Sequence, residues 1–193
     1  MSIKFGIVTP TIQRDSLLRC CESVDLQTHS NWQHVVMVDS KPLRAELLDK
    51  IQHPLRKIIE CPIEHHNGGN TCRHNAWYET DADYLIGVDD DNFLAHNESL
   101  STIHSALVDN DLPQVAFFPI LRHGGLFFPV GTPRMCHVDT ANLVVKREIG
   151  QWPDILDYTS DGIFIERLVE EYQWMSFPTV PPIINMPSSG FCQ

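Results

Sequence analysis

The chain has 193 residues, 42% of them hydrophobic and 20% charged, enough apolar material for one packed core and too much for a disordered segment. Its 25 acidic against 14 basic side chains leave a net charge of -11, which argues against nonspecific binding to nucleic acid or to an anionic membrane, since both need a basic surface. A phosphate-bearing ligand would be repelled unless a metal ion or a local Arg or Lys offset that field.

Residues 3–8 form a β-rich run stopped by Thr9-Pro10-Thr11 and read as a first strand. The run is too short for a signal peptide, and no window approaches a membrane span. Six cysteines without a C-x-x-C pair predict reduced thiols, so the expectation is a soluble, cytoplasmic protein of one domain. Over residues 14–26, Leu17, Leu18, Cys21 and Val24 fall at helical spacing. Residues 32–38 read as a second strand ending in Asp39-Ser40, 44–51 as a helix, and 57–60 as a third strand. A polar loop, His65-His66-Asn67-Gly68-Gly69-Asn70, then leads into a helix over 71–80.

Residues 84–88 are apolar without polar alternation, the mark of a central strand buried on both faces. A helix is expected over 97–109, with Leu100, Ile103 and Leu107 on one face, and strands over 115–120 and 138–146. Between those strands, 124–130 reads as a hairpin arm or an excursion; 162–172 reads as a helix, and the proline-laden 178–187 as an extended surface segment. Strand and helix alternate and then turn strand-rich, which predicts an α/β fold with a mostly parallel sheet and a small antiparallel supplement.

The predicted central strand runs into Asp89-Asp90-Asp91-Asn92. Three neighbouring carboxylates repel one another unless solvated or holding a cation, and ligands of open α/β sheets collect at the carboxyl ends of strands. A divalent-metal site at the mouth of the sheet is the functional reading; helix capping is the plain alternative. Asp90 leaves the strand on the side opposite its neighbours, which favours a structural role for it. His137 and Asp139, two apart in a predicted strand, point the same way and are candidates to complete a metal shell or meet an acceptor. Cys61, His65, His66, Cys72 and His74 lie close in sequence, but their spacing matches no familiar zinc pattern.

Several pieces stand in a telling order: Thr9-Pro10-Thr11, Asp39, Gly68-Gly69-x-x-x-Arg73-x-Asn75, Asp89-x-Asp91, and Asp161-Gly-Ile-Phe-Ile-Glu-Arg167. This set resembles the GT-A glycosyltransferases, family 2-like enzymes that use nucleotide-diphospho-sugars, with Ser160 standing where the family has Glu. The resemblance implies a Rossmann-like GT-A sheet, with a nucleotide-binding half over 1–95, an acceptor half over 96–177 and an extended tail over 178–193. It implies Asp91 as direct ligand of Mn2+ or Mg2+ and Asp89 on the ribose or the metal; His137, from its spacing with Asp139 and not from the resemblance, is the candidate third metal ligand. The donor site would be built from Thr9, Pro10, Thr11, Arg14, Asp39, Gly69, Arg73, Asn75, Asp89 and Asp90. Asp161 would be the general base of an inverting transfer from a nucleotide-diphospho-sugar, UDP being the expected nucleotide, to an unknown glycan or small-molecule acceptor. Two rivals are a nucleotidyltransferase, disfavoured because residues 9–14 hold no glycine, and a non-catalytic sugar-nucleotide or carbohydrate-binding module.

Overall fold

Uninterrupted apolar runs become inner strands. β1 (Phe5–Thr11) is buried along its whole length, and β2 (Trp32–Val38) at all but one position, because a strand without polar alternation must be covered on both faces. The computed structural model describes residues 2–122, 125–153, 159–178 and 184–186. Between these two strands, α1 (Leu17–Asp25) turns Leu17, Cys20, Cys21 and Val24 inward, the i, i+3, i+4, i+7 stripe of a helix laid on a sheet. The chain continues through α2 (Ala45–Lys50), β3 (Arg56–Glu60), α3 (Asn70–Tyr78), β4 (Tyr84–Gly87), β5 (Phe93–Leu94) and α4 (Ser99–Val108). Then follow β6 (Val115–Phe117), β7 (Ile120–Arg122), β8 (Gly125–Phe127), β9 (Leu143–Lys146), α5 (Ser160–Glu171), β10 (Trp174–Ser176) and β11 (Ile184–Met186).

Seven strands form the main sheet in the order β10-β6-β9-β4-β1-β2-β3. Every pair is parallel except the two made by β9, which runs antiparallel to β4 and β6. The chain moves outward from β1 to β3 and then returns to the other side of β1 as β4. The crevice beyond the ends of β1 and β4 is therefore the switch point where α/β sheets bind ligands. Successive residues of β1 divide between two cores, Phe5 and Ile7 into one with Ile86, Leu100 and Phe118, Val8 into the other with Trp77, Trp152 and Phe164.

The predicted supplement exists as a four-stranded sheet, β5-β11-β7-β8, in which β7 and β8 form the expected antiparallel hairpin. Two predictions need correction. The single strand over 115–120 is two strands in different sheets, parted at Phe118-Pro119, where proline supplies no N–H to continue a ladder. The strand over 138–146 begins only at Leu143, because Thr140–Asn142 is a 3-10 turn capped by Asp139. Of the extended tail, 184–186 joins the smaller sheet, while 179–183 and 187–193 lie outside the described residues. Among the described residues no helix is long and apolar enough to cross a membrane.

Candidate active site

At the switch point the end of β1 is tied to the acidic run. Thr11 Oγ1 donates to Asp90 Oδ2 at 2.7 Å, and Arg14 Nη1 lies 3.0 Å from both Asp90 Oδ1 and Asp91 Oδ2. Asp90 is buried and Arg14 half-exposed, so the middle acid anchors the crevice while Asp89 and Asp91 stay partly open to solvent. Burial pushes the Asp90 carboxyl up, against the pull of Thr11 and Arg14. Asp91 is raised by burial and by the charge of Asp89.

The polar loop enters α3 through Gly69, whose φ of +80° is left-handed and open to glycine at little cost. A Cβ there would also lie 2.8 Å from Pro10 Cβ, so Pro10 serves as the surface the loop folds against. Packing of that loop sets the position of Arg73. Its buried guanidinium donates from Nη1 to Gly68 O at 2.8 Å and from Nη2 to Asp89 Oδ1 at 2.5 Å, and lies 5.5 Å from the Trp152 ring. Burial works against the Arg73 charge, but Asp89, together with Asp161 and Asp139, more than offsets it and holds the guanidinium above its ordinary range.

A cavity of about 230 Å³ opens beside this pair, lined by Gly68, Asn70, Arg73, Asp89, Asp139, Thr140 and Asp161. Thr140 reaches it because β4 ends in Gly87: a Cβ on Gly87 would sit 2.7 Å from Thr140 Cγ2. Asp139 is fixed by a capping box, accepting from Ala141 N at 3.0 Å while its own N–H donates to Asn142 Oδ1 at 2.9 Å. Asp161 lies in the first turn of α5 and accepts from Gly162 N at 2.7 Å. Burial pushes Asp139 up to about 6, with Asp89 and Asp161 adding repulsion. Burial also raises Asp161, while the Gly162 amide and Arg73 pull the other way. Among the described residues three carboxyls and one guanidinium thus line the cavity, with Arg122 adding a weaker pull on Asp139, and acids outnumber bases there.

The predicted site residues divide accordingly. Arg73, Asp89 and Asp161 line the cavity; Arg14, Asp90 and Asp91 adjoin one another beside Asp89; Pro10 and Gly69 shape the loop. Thr9 is a correction, since it is fully buried, donates to Val88 O at 2.7 Å and lies 2.9 Å from His34 Nε2, so no hydroxyl is left for a ligand. His137 is exposed and outside the cavity lining, because the capped turn, not a strand, follows it and the shared face with Asp139 is lost. Asn75 is exposed on α3, while Arg167 donates to Gln151 O at 2.7 Å. Asp39 is buried and accepts from both the backbone and Nδ1 of His65, at 3.0 and 2.8 Å. Asn70, Thr140 and Trp152 escape a reading of the sequence alone; only Asn70, first in a helix after two glycines, carries a local signal.

Residues 6–143 match the family described as Glycosyl transferase family 2. The chain belongs to this family. Its architecture is the GT-A fold: the family 2 chain superposes on Staphylococcus aureus TarS (residues 1–349) with a TM-score of 0.75 at 14% identity, over 95% of its own length and 60% of that structure. The same TarS fragment with UDP-GlcNAc gives 0.72 at 14% identity, over 98% and 60%. The mannosyltransferase PcManGT from Pyrobaculum calidifontis, in complex with GDP-Man and Mn2+, gives 0.65 at 14% identity, over 93% and 56%. The chain therefore spans about 60% of the TarS fragment it matches. No curated protein sequence is significantly similar to it.

Proposed function

We propose that the cleft binds a nucleotide-diphospho-sugar, a UDP-sugar first among them, and that the chain transfers the sugar to an acceptor hydroxyl with inversion. The observation that carries this reading is the gathering of a buried guanidinium, the acid Asp89 and a second, separate acid, Asp161, around one cavity at the switch point. Complexes of relatives with UDP-GlcNAc and with GDP-Man plus Mn2+ support it.

The donor set fits a hard divalent cation. Asp89 and Asp91 offer partly exposed carboxylate oxygens, and the unbalanced charge around them favours a cation over a further anion. Asp91 and Asp89 would hold Mn2+ or Mg2+, which when bound supplies neutralising charge to a diphosphate leaving group. Arg73, held beside Asp89, adds a fixed positive charge for the same phosphates. Asp39, at the end of β2, is the group proposed to accept from a nucleobase N–H.

Asp161 is the proposed general base, taking the acceptor hydroxyl's proton as that oxygen attacks the sugar carbon. Its raised pKa strengthens it as a base, and the pull of Arg73 helps keep it ionised. Asp139 stands beside it, more reluctant to ionise, suited to hydrogen-bonding the sugar or the acceptor.

The test is donor turnover: the chain with Mn2+ and either UDP-GlcNAc or GDP-mannose, with released nucleoside diphosphate quantified. Wild type is expected to release diphosphate, and Asp161→Asn to slow release by about 10²- to 10⁴-fold while UDP binding persists. Unchanged turnover in Asp161→Asn would remove it as the base, and binding without turnover of any donor would favour a non-catalytic module.

A further inference from the structure

We propose that Asp39, Cys61, His65 and Cys72 form a binding site for a thiophilic divalent cation, zinc above all, next to the cleft and chemically distinct from it. One donor atom from each residue lies within 4.8 Å of the other three. Cys61 Sγ and Cys72 Sγ are 2.9 Å apart, and His65 Nδ1 and Asp39 Oδ1 2.8 Å apart. Zinc held at about 2.3 Å by sulfur and about 2.0 Å by nitrogen or oxygen sets tetrahedral edges of about 3.8 Å between sulfurs and about 3.3 Å between the harder atoms. Each pair has to open by less than about 1 Å to admit the ion.

The donors come from four places that only the fold unites: the residue after β2, the residue after β3, the polar loop and the first turn of α3. That dispersal is why the spacing of these residues matches no zinc signature. Asp39, Cys61 and Cys72 are buried, and the His65 side chain is only 13% exposed, so the set is closed as structural zinc sites are. Apolar packing alone would explain two small thiols in a core. It does not account for a carboxylate and an imidazole gathered against them: Asp39 and His65 satisfy each other, but what sets the group apart is that four metal-ligating atoms from four places in the fold converge within 4.8 Å. Two sulfurs, a nitrogen and an oxygen are a mixture that zinc accepts and that Mg2+ or Ca2+ does not.

A metal here would tie the loop before Gly68 to the ends of β2 and β3 and hold Cys72, whose chain neighbour is Arg73. Asp39 is also the group proposed to meet the nucleobase; coordination through one of its oxygens leaves the second for that N–H, and metal uptake is read without nucleotide, so failure of one proposal is distinguishable from failure of the other.

Purified protein, stripped of metal by a chelator under reducing conditions, is titrated with Co2+ and then Zn2+. The expected result is one-to-one Co2+ uptake with thiolate-to-cobalt charge-transfer absorption and the ligand-field bands of a tetrahedral site, both bleached by Zn2+. Zinc should also raise the melting temperature in a concentration-dependent way. Cys61→Ser and Cys72→Ser should each cut the charge-transfer band by about half or more and the double change abolish it, and His65→Ala should weaken Zn2+ binding by at least about tenfold, whereas His66→Ala should change neither. Absence of the thiolate band in folded wild-type protein would overturn the proposal whatever the variants do. So would a Cys61–Cys72 disulfide in the isolated protein that takes up no metal after reduction, or uptake that survives the double Cys61→Ser/Cys72→Ser change.

Discussion

Cys72 and Arg73 are consecutive residues of α3, and the helix delivers them to different chemistries: Cys72 to a sealed cluster of two thiols, an imidazole and a carboxylate, Arg73 to an open cleft lined by acids. The cleft is built from hard oxygens and one guanidinium, stays accessible to solvent, and carries acids pushed up by burial and mutual repulsion. The thiol cluster has soft donors and almost no solvent contact. Phosphate chemistry needs the first arrangement and a permanent structural tie needs the second. The sheet rim supplies both because strand ends and loop residues converge there from distant parts of the chain.

Breaking the cleft side of α3 should have the largest effect on stability. Arg73→Ala leaves Asp89 facing Asp139 and Asp161 without its guanidinium, and should cost about 3 kcal/mol, the lower end for a buried pair because Asp89 keeps some water. Urea unfolding at neutral pH measures it; a loss under about 1 kcal/mol would mean the pair is not holding the cleft together. Co2+ uptake at the thiol cluster should persist in this variant, which separates the two regions. A smaller cost is expected of Gly87→Ala. Its Cβ would press on Thr140, and the displaced turn should cost about 2 kcal/mol and weaken donor binding through Asp139.

The smallest expected effect is a pH dependence confined to the cleft. Asp139 has a folded pKa of about 6 against an ordinary 3.8, so the folded state binds its proton more tightly than the unfolded state does. The stability it contributes is complete below pH 3.8 and is lost as pH rises through about 6. In metal-free protein, Asp139→Asn should keep the cap to Ala141 and unfold at higher urea than wild type above pH 6, the difference shrinking toward pH 4. A difference that does not vary with pH would show that Asp139 is not strained by its charge.

How much of this was legible in the sequence follows from how each feature is encoded. β1, β2 and β4 were readable because burial on both faces leaves an unbroken apolar run, and the acids after β4 because they follow such a run directly. Thr9 misled, since a threonine near a strand end looks available, and only the pairing of β1 with β4 shows its hydroxyl spent on Val88 O. His137 misled because the capping of Thr140–Asn142 by Asp139 outweighs the β propensity of the residues that follow. The thiol cluster was illegible for a different reason. Cys61, His65 and Cys72 stand close in sequence but at no zinc spacing, and Asp39 joins them only when β2, β3 and α3 are packed.

The central claim, a metal-dependent nucleotide site at the acidic end of β4, is tested most directly by calorimetric titration of UDP into wild type and Asp91→Ala, each with and without Mn2+. The account predicts one UDP site in wild type that tightens when Mn2+ is present, and no such gain in Asp91→Ala. UDP binding that ignores Mn2+, or a Mn2+ effect that survives Asp91→Ala undiminished, would contradict it.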